Sequence, residues 1–98
     1  MNKNAKEIYD KVIAVVLDDF GLTTEKMFGS NEPDSVNARM SLIVSLRDEG
    51  LTDREIAELT QKMRRCSVCL IRNRYSDKTA NWEVKTCIEH IKRMKGVQ

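Results

Sequence analysis

The chain has 98 residues with a net charge of +2; 41% are hydrophobic and 33% charged, enough apolar material for one small core. Its longest uninterrupted apolar run, Val12 to Leu17, is six residues, far short of the about 20 a membrane-spanning helix needs, and four Gly, one Pro and no low-complexity tract exclude linker or disordered material. The charged start MNKNAKEIYDK lacks the apolar stretch of a secretory leader, and three cysteines do not suit a disulfide framework, so a reducing, cytoplasmic setting is expected.

Helical periodicity runs nearly end to end and predicts a single all-α domain over 1–98. A first helix spans about Asn4 to Asp19, with Ile8, Val12, Val15, Val16 and Phe20 on one stripe, and Gly21 stops it. Thr23 or Thr24 caps a short turn through Met27 and Phe28. A loop from Gly29 to Asp34 follows, and Ser35 caps a third helix carrying Val36, Met40, Ile43, Val44 and Leu46, ended by Gly50. Thr52 with Glu55 forms a capping box for a fourth helix, Asp53 to about Gln61, which buries Ile56 and Leu59. A fifth begins near Arg64 or Arg65 and buries Val68, Ile71 and Tyr75. After a polar connection, a sixth runs from about Ala80 to Lys95, with Val84, Cys87, Ile88, Ile91 and Met94 on one face. Trp82 lies off that face and is expected to act as a packing lid. Asp18, Asp19, Asp48 and Glu49 read as solvated helix ends. The expected architecture is a compact domain of five or six helices.

The net charge conceals a split. Residues 1–60 carry 7 Lys and Arg against 12 Asp and Glu; residues 61–98 carry 10 against 3. Five cations (Lys62, Arg64, Arg65, Arg72, Arg74) fall within 61–75 with no acid among them, a pattern that points to a polyanion. The stretch Gly50-Leu-Thr-Asp-Arg-Glu-Ile-Ala-Glu-Leu59 reads as the first helix of a helix-turn-helix, with small Ala57 letting the next, basic helix cross closely. One helix then braces against phosphates while the second lies in the major groove. Arginine suits both tasks because its fork meets guanine or phosphate at two points. The plainer reading is a helical hairpin with a cationic solvent face.

The connection from Thr60 to Arg65 is longer than a tight helix-turn-helix allows. That spacing, with Phe20-Gly-Leu-Thr-Thr-Glu-Lys-Met-Phe28, Val36-Asn-Ala-Arg39 and Glu55-Ile-Ala57, resembles the C-terminal DNA-binding domain of the bacterial chromosomal replication initiator (the DnaA type) and, more loosely, the Trp-repressor-like superfamily. The resemblance implies a helix-turn-helix at about 52–75 with a helix facing double-stranded DNA; the cations of this chain, with Ser67, are the expected contacts (Arg39, Lys62, Arg64, Arg65, Ser67, Arg72 and Arg74), in replication initiation or transcriptional regulation. It does not carry over the recognition sequence. The family's base-reading Asp-His-Thr-Thr falls on Arg64, Arg65, Cys66 and Ser67, of which Ser67 alone is chemically similar, and its Gly-Gly falls on Gln61 and Lys62. A module this small buries about 600–1,000 Å² on DNA, so a homodimer or larger nucleoprotein complex is expected for tight binding.

Cys66, Cys69, Cys87 and His90 have a formal Cys3His spacing, and a zinc-stabilised interaction module with an acidic partner is the alternative this raises. Both pairs fall inside helical patterns without the Gly or Pro that opens a zinc knuckle, and Cys87 lies on an apolar stripe, so no metal or other cofactor is expected. Cys66, beside Arg64 and Arg65, is also a candidate oxidation-sensitive thiol. With one histidine, no P-loop and no nucleophile–base set, the chain is not read as an enzyme.

Overall fold

A computed structural model describes residues 3–64, 66–71 and 82–96. Among them the fold is all-α, with no strand and six helical segments: α1 (Lys3–Phe20), α2 (Thr24–Gly29), α3 (Pro33–Asp48), α4 (Asp53–Thr60), α5 (66–71) and α6 (Trp82–Gly96). The molecule is nearly isotropic, 32 × 29 × 27 Å. One cluster of buried side chains draws on every helix, from Ala5, Tyr9, Val12 and Val16 of α1 to Met27, Leu42, Ile56, Val68 and Ile91. No helix among the described residues is long and apolar enough to cross a membrane.

The helix ends follow local chemistry. At the end of α1, Gly21 takes a φ of 64°, its N–H donates to Asp18 O, and Leu22 N–H reaches back to Leu17 O at 3.0 Å. The same pattern closes α3: Gly50 has φ 95°, Gly50 N–H donates to Arg47 O, and Leu51 N–H donates to Leu46 O at 3.2 Å. Both are Schellman endings, which need a residue free to go left-handed. Leu51 is buried, and Arg47 straps the corner by donating to Leu51 O at 3.0 Å and pairing with Asp53. The predicted capping box of α4 is formed: Thr52 Oγ1 accepts from Glu55 N–H, and Glu55 Oε1 accepts from Thr52 N–H. Gln61 ends α4 in a left-handed conformation, φ 54°, where glycine would be unstrained.

Two helices, α3 and α1, differ from the sequence reading. Helix α3 begins at Pro33, not after Ser35. Proline is suited to the first helical position, where its missing N–H would have no partner and its φ is already helical. Ser35 is fully buried two positions later, and its hydroxyl donates to Lys26 O at 3.1 Å, tying α2 to α3. The buried stripe of α1 is Ala5, Tyr9, Val12 and Val16; Ile8 and Val15 only border it. Helix α3 is buried on nearly all sides, including six consecutive residues, Ser41 to Leu46, and it packs against α1, α2, α4 and α6. Small serines on its surface let those neighbours approach. Ser41 satisfies its own hydroxyl by donating to Asn37 O at 2.9 Å, whereas the buried Ser45 Oγ has no partner. The predicted burial of Tyr75 and the 76–81 connection lie outside the described residues.

Two stability predictions follow from this packing. At Gly50 a Cβ meets no atom within 4 Å, so Gly50→Ala suffers backbone strain alone, about 1 kcal/mol, whereas Gln61→Gly relieves it and gains about 0.5–1 kcal/mol; opposite shifts of the thermal midpoint check the pair. Ser45→Ala removes an unpartnered buried hydroxyl and is expected to stabilise by about 1 kcal/mol, while Ser35→Ala loses a made bond and costs a similar amount, both read by denaturant melts.

Candidate nucleic-acid interface

The left-handed turn at Gln61 reverses the chain after α4. Beyond it Met63 is partly buried against the core, so its neighbours Lys62 and Arg64 are held outward and exposed. Val68 N–H donates to Arg64 O at 3.1 Å, so Arg64 sits in the connection and its carbonyl receives the first bond of α5. On α5, fully buried Val68 and partly buried Ile71 form the inner face, which leaves Cys66 and Leu70 exposed and Ser67 half-buried.

Lys62, Met63, Arg64, Cys66, Ser67, Leu70 and Ile71 line one open groove of about 640 Å³. Arg39 of α3 lines it as well. Its Nη1 donates to Phe28 O, a carbonyl at the C-terminal end of α2, at 3.4 Å, which suits a guanidinium at the negative end of a helix. Phe28, Met63, Leu70 and Ile71 supply apolar lining, and Arg39, Lys62 and Arg64 supply charge. No aspartate or glutamate lines the groove among the described residues. Four of the seven residues singled out in the sequence, Arg39, Lys62, Arg64 and Ser67, are thus brought together, although Arg39 lies more than twenty positions upstream of the others. Arg65, Arg72 and Arg74 lie outside the described residues. The apolar contributors Phe28, Met63 and Leu70 were not read as part of a site. The signal for Leu70 was its register: two positions after an inward Val68 on a helix, it faces outward.

The Cys3His set is not gathered. Among the described residues no group of three or more His, Cys, Asp or Glu side chains is placed to hold a metal ion. Cys66 opens onto the cationic groove, Cys69 is half-buried, and Cys87 is sealed in the core. His90 finds a different partner: Nδ1 lies 3.0 and 3.1 Å from the two carboxylate oxygens of Asp19, at the far end of α1. Asp19 is therefore not a purely solvated helix end. It clasps α6 to α1. Burial, then the charge of Asp19 and a hydrogen bond to it, push the Cys87 thiol up to about 12, against a smaller opposing hydrogen bond from Ser41. Trp82 is no lid either; at the first position of α6 it is 76% exposed.

A scan of protein-family models matches none to this chain, and searches of curated proteins and of solved structures return no match.

The thiols give a direct check on this geometry. In the native protein Cys66 is expected to react rapidly with a thiol reagent, while Cys87 reacts only as the chain globally unfolds. In the unfolded chain Cys87 ionises near its ordinary pKa of about 8.5, but in the fold it stays protonated until about 12. The unfolded state therefore binds fewer protons across this window, and stability falls as pH rises through it. Cys87→Ala flattens that fall in denaturant midpoints, leaving a smaller alkaline loss from Tyr9, whose pKa is raised by burial and then by Asp10.

Proposed function

We propose that this chain is a double-stranded DNA-binding protein rather than an enzyme, working in the cytoplasm through a helix-turn-helix at about 52–75 of the kind that the replication initiator's C-terminal domain carries. One observation carries the reading: a groove that collects Arg39, Lys62, Arg64 and Ser67 and has no carboxylate among its described lining residues. A phosphate backbone gains from each cation it meets, and an acid in the same groove would oppose it. In this reading α4 braces on the backbone and α5 faces the major groove. Arg64, in the connection just ahead of α5, and Arg65 are proposed to reach for base edges, and Lys62, Arg39, Arg72 and Arg74 to meet phosphate. The Gln61 turn stands where the resembled family has glycine and takes the left-handed conformation that glycine favours. Replication initiation or transcriptional regulation is the proposed setting.

Fluorescence anisotropy with random-sequence duplex tests this. Binding at about 50 mM salt is expected to weaken with a log–log salt slope of roughly −4 to −5 if five or six cations meet phosphate. Lys62→Ala is expected to reduce that slope by about one regardless of sequence, while Arg64→Ala costs about 1–3 kcal/mol on preferred sites selected from a random library. Absence of binding at about 50 mM salt, with the protein folded, overturns the reading.

A further inference from the structure

We infer that the exposed Trp82 face docks onto a second copy of this chain, its partner surface being the cationic groove of the neighbouring molecule. Trp82 is the chain's single tryptophan, and at 76% exposure it is in an unusual state for a residue type that is highly buried on average and that anchors protein interfaces more often than most. It borders an open groove of about 830 Å³ shared with Phe20 and with the carboxylates Asp19, Asp34, Glu83 and Glu89. Lys85 and Arg93 also reach this lining, which leaves it acidic on balance. Such a face repels a phosphate backbone and favours a cationic, partly apolar partner.

The same molecule carries that partner surface. The groove of Arg39, Lys62 and Arg64 is cationic, and Leu70 gives it an apolar wall that is 68% exposed. Among the described residues, Leu70 and Trp82 are the large hydrophobic side chains left exposed to solvent, one on each patch. A guanidinium set over an indole face adds attraction beyond apolar burial. Because the two patches are different surfaces, each copy offers its Trp82 face to one neighbour and its cationic groove to another, a heterologous contact. The contact does not depend on duplex binding and is testable without nucleic acid; where duplex is bound, the two compete for one groove.

Sedimentation velocity on the full chain between about 5 and 500 µM, a span suited to small transient interfaces, is expected to show association that grows with concentration. Trp82 emission should shift to the blue in parallel, since no other tryptophan contributes. Trp82→Ala and Leu70→Glu alter exposed side chains, so circular dichroism should be unchanged, while each variant alone associates about 30-fold more weakly or worse. Mixed together they should form a one-to-one complex, because each retains the face the other lacks. A monomer across the whole range overturns the inference, as does association that survives either substitution, or a mixture of the two variants that fails to pair. A duplex that shifts Trp82 emission while the protein stays monomeric also overturns it and gives the face to nucleic acid.

Discussion

Residues Ser41 to Leu46 of α3 are buried without a break, so every side of that helix must be covered by something else in the chain. No single neighbour can do this. Helices α1, α2, α4 and α6 all pack against it, and the fold is in effect a set of helices gathered around one axis. Small serines suit this arrangement, since they let a neighbouring backbone approach and their hydroxyls can be satisfied within the helix, as Ser41 does on Asn37 O, or by the neighbour's own carbonyl, as Ser35 does on Lys26 O. Long-range polar contacts then lock the periphery: Asn37 Nδ2 donates to Glu83 Oε2 at 3.0 Å, and Asp19 holds His90.

The candidate interface is a consequence of that packing. Ser35 and Arg39 lie one turn apart on α3 and both bond carbonyls of α2, Lys26 O and Phe28 O. This fixes the α2 end of the groove. The Schellman ending at Gly50 and the capping box at Thr52 then set the direction of α4, and the left-handed Gln61 turns the chain so that Lys62 and Arg64 line the same groove as Arg39. Charge is also sorted in space: among the described residues the charged side chains lining this groove are all cations, whereas carboxylates gather around Trp82 at the start of α6. A surface with one strongly basic concavity and one acidic, aromatic concavity is organised to discriminate between partners by sign as well as by shape.

Ser35 and Trp82 sit where their residue types alone do not place them. Ser35 looked like a helix cap because serine before an apolar run often is one, but a proline two residues earlier starts the helix more cheaply. Trp82 looked like a lid because large aromatics usually bury, yet it sits outside the arc of Val84, Cys87, Ile88 and Ile91. Cys66, Cys69, Cys87 and His90 have metal-like spacing along the chain, but spacing alone does not bring side chains together in space. Cys87 faces inward to the core while Cys66 faces the groove, and His90 is taken by Asp19, 71 residues away.

Local interactions were therefore decided by the residues in order. The endings at Gly21 and Gly50, the Thr52–Glu55 box, the six helical segments and the concentration of positive charge after residue 60 all depend on partners within about five positions, and all were readable from the string. What only the tertiary structure decided is which surfaces meet and which stay open. That α3 is the enclosed helix, that Arg39 joins Lys62 and Arg64, and that Leu70 and Trp82 are left in water depend on how helices pack at long range. That packing is governed by shape and total apolar burial, which no short window of sequence contains.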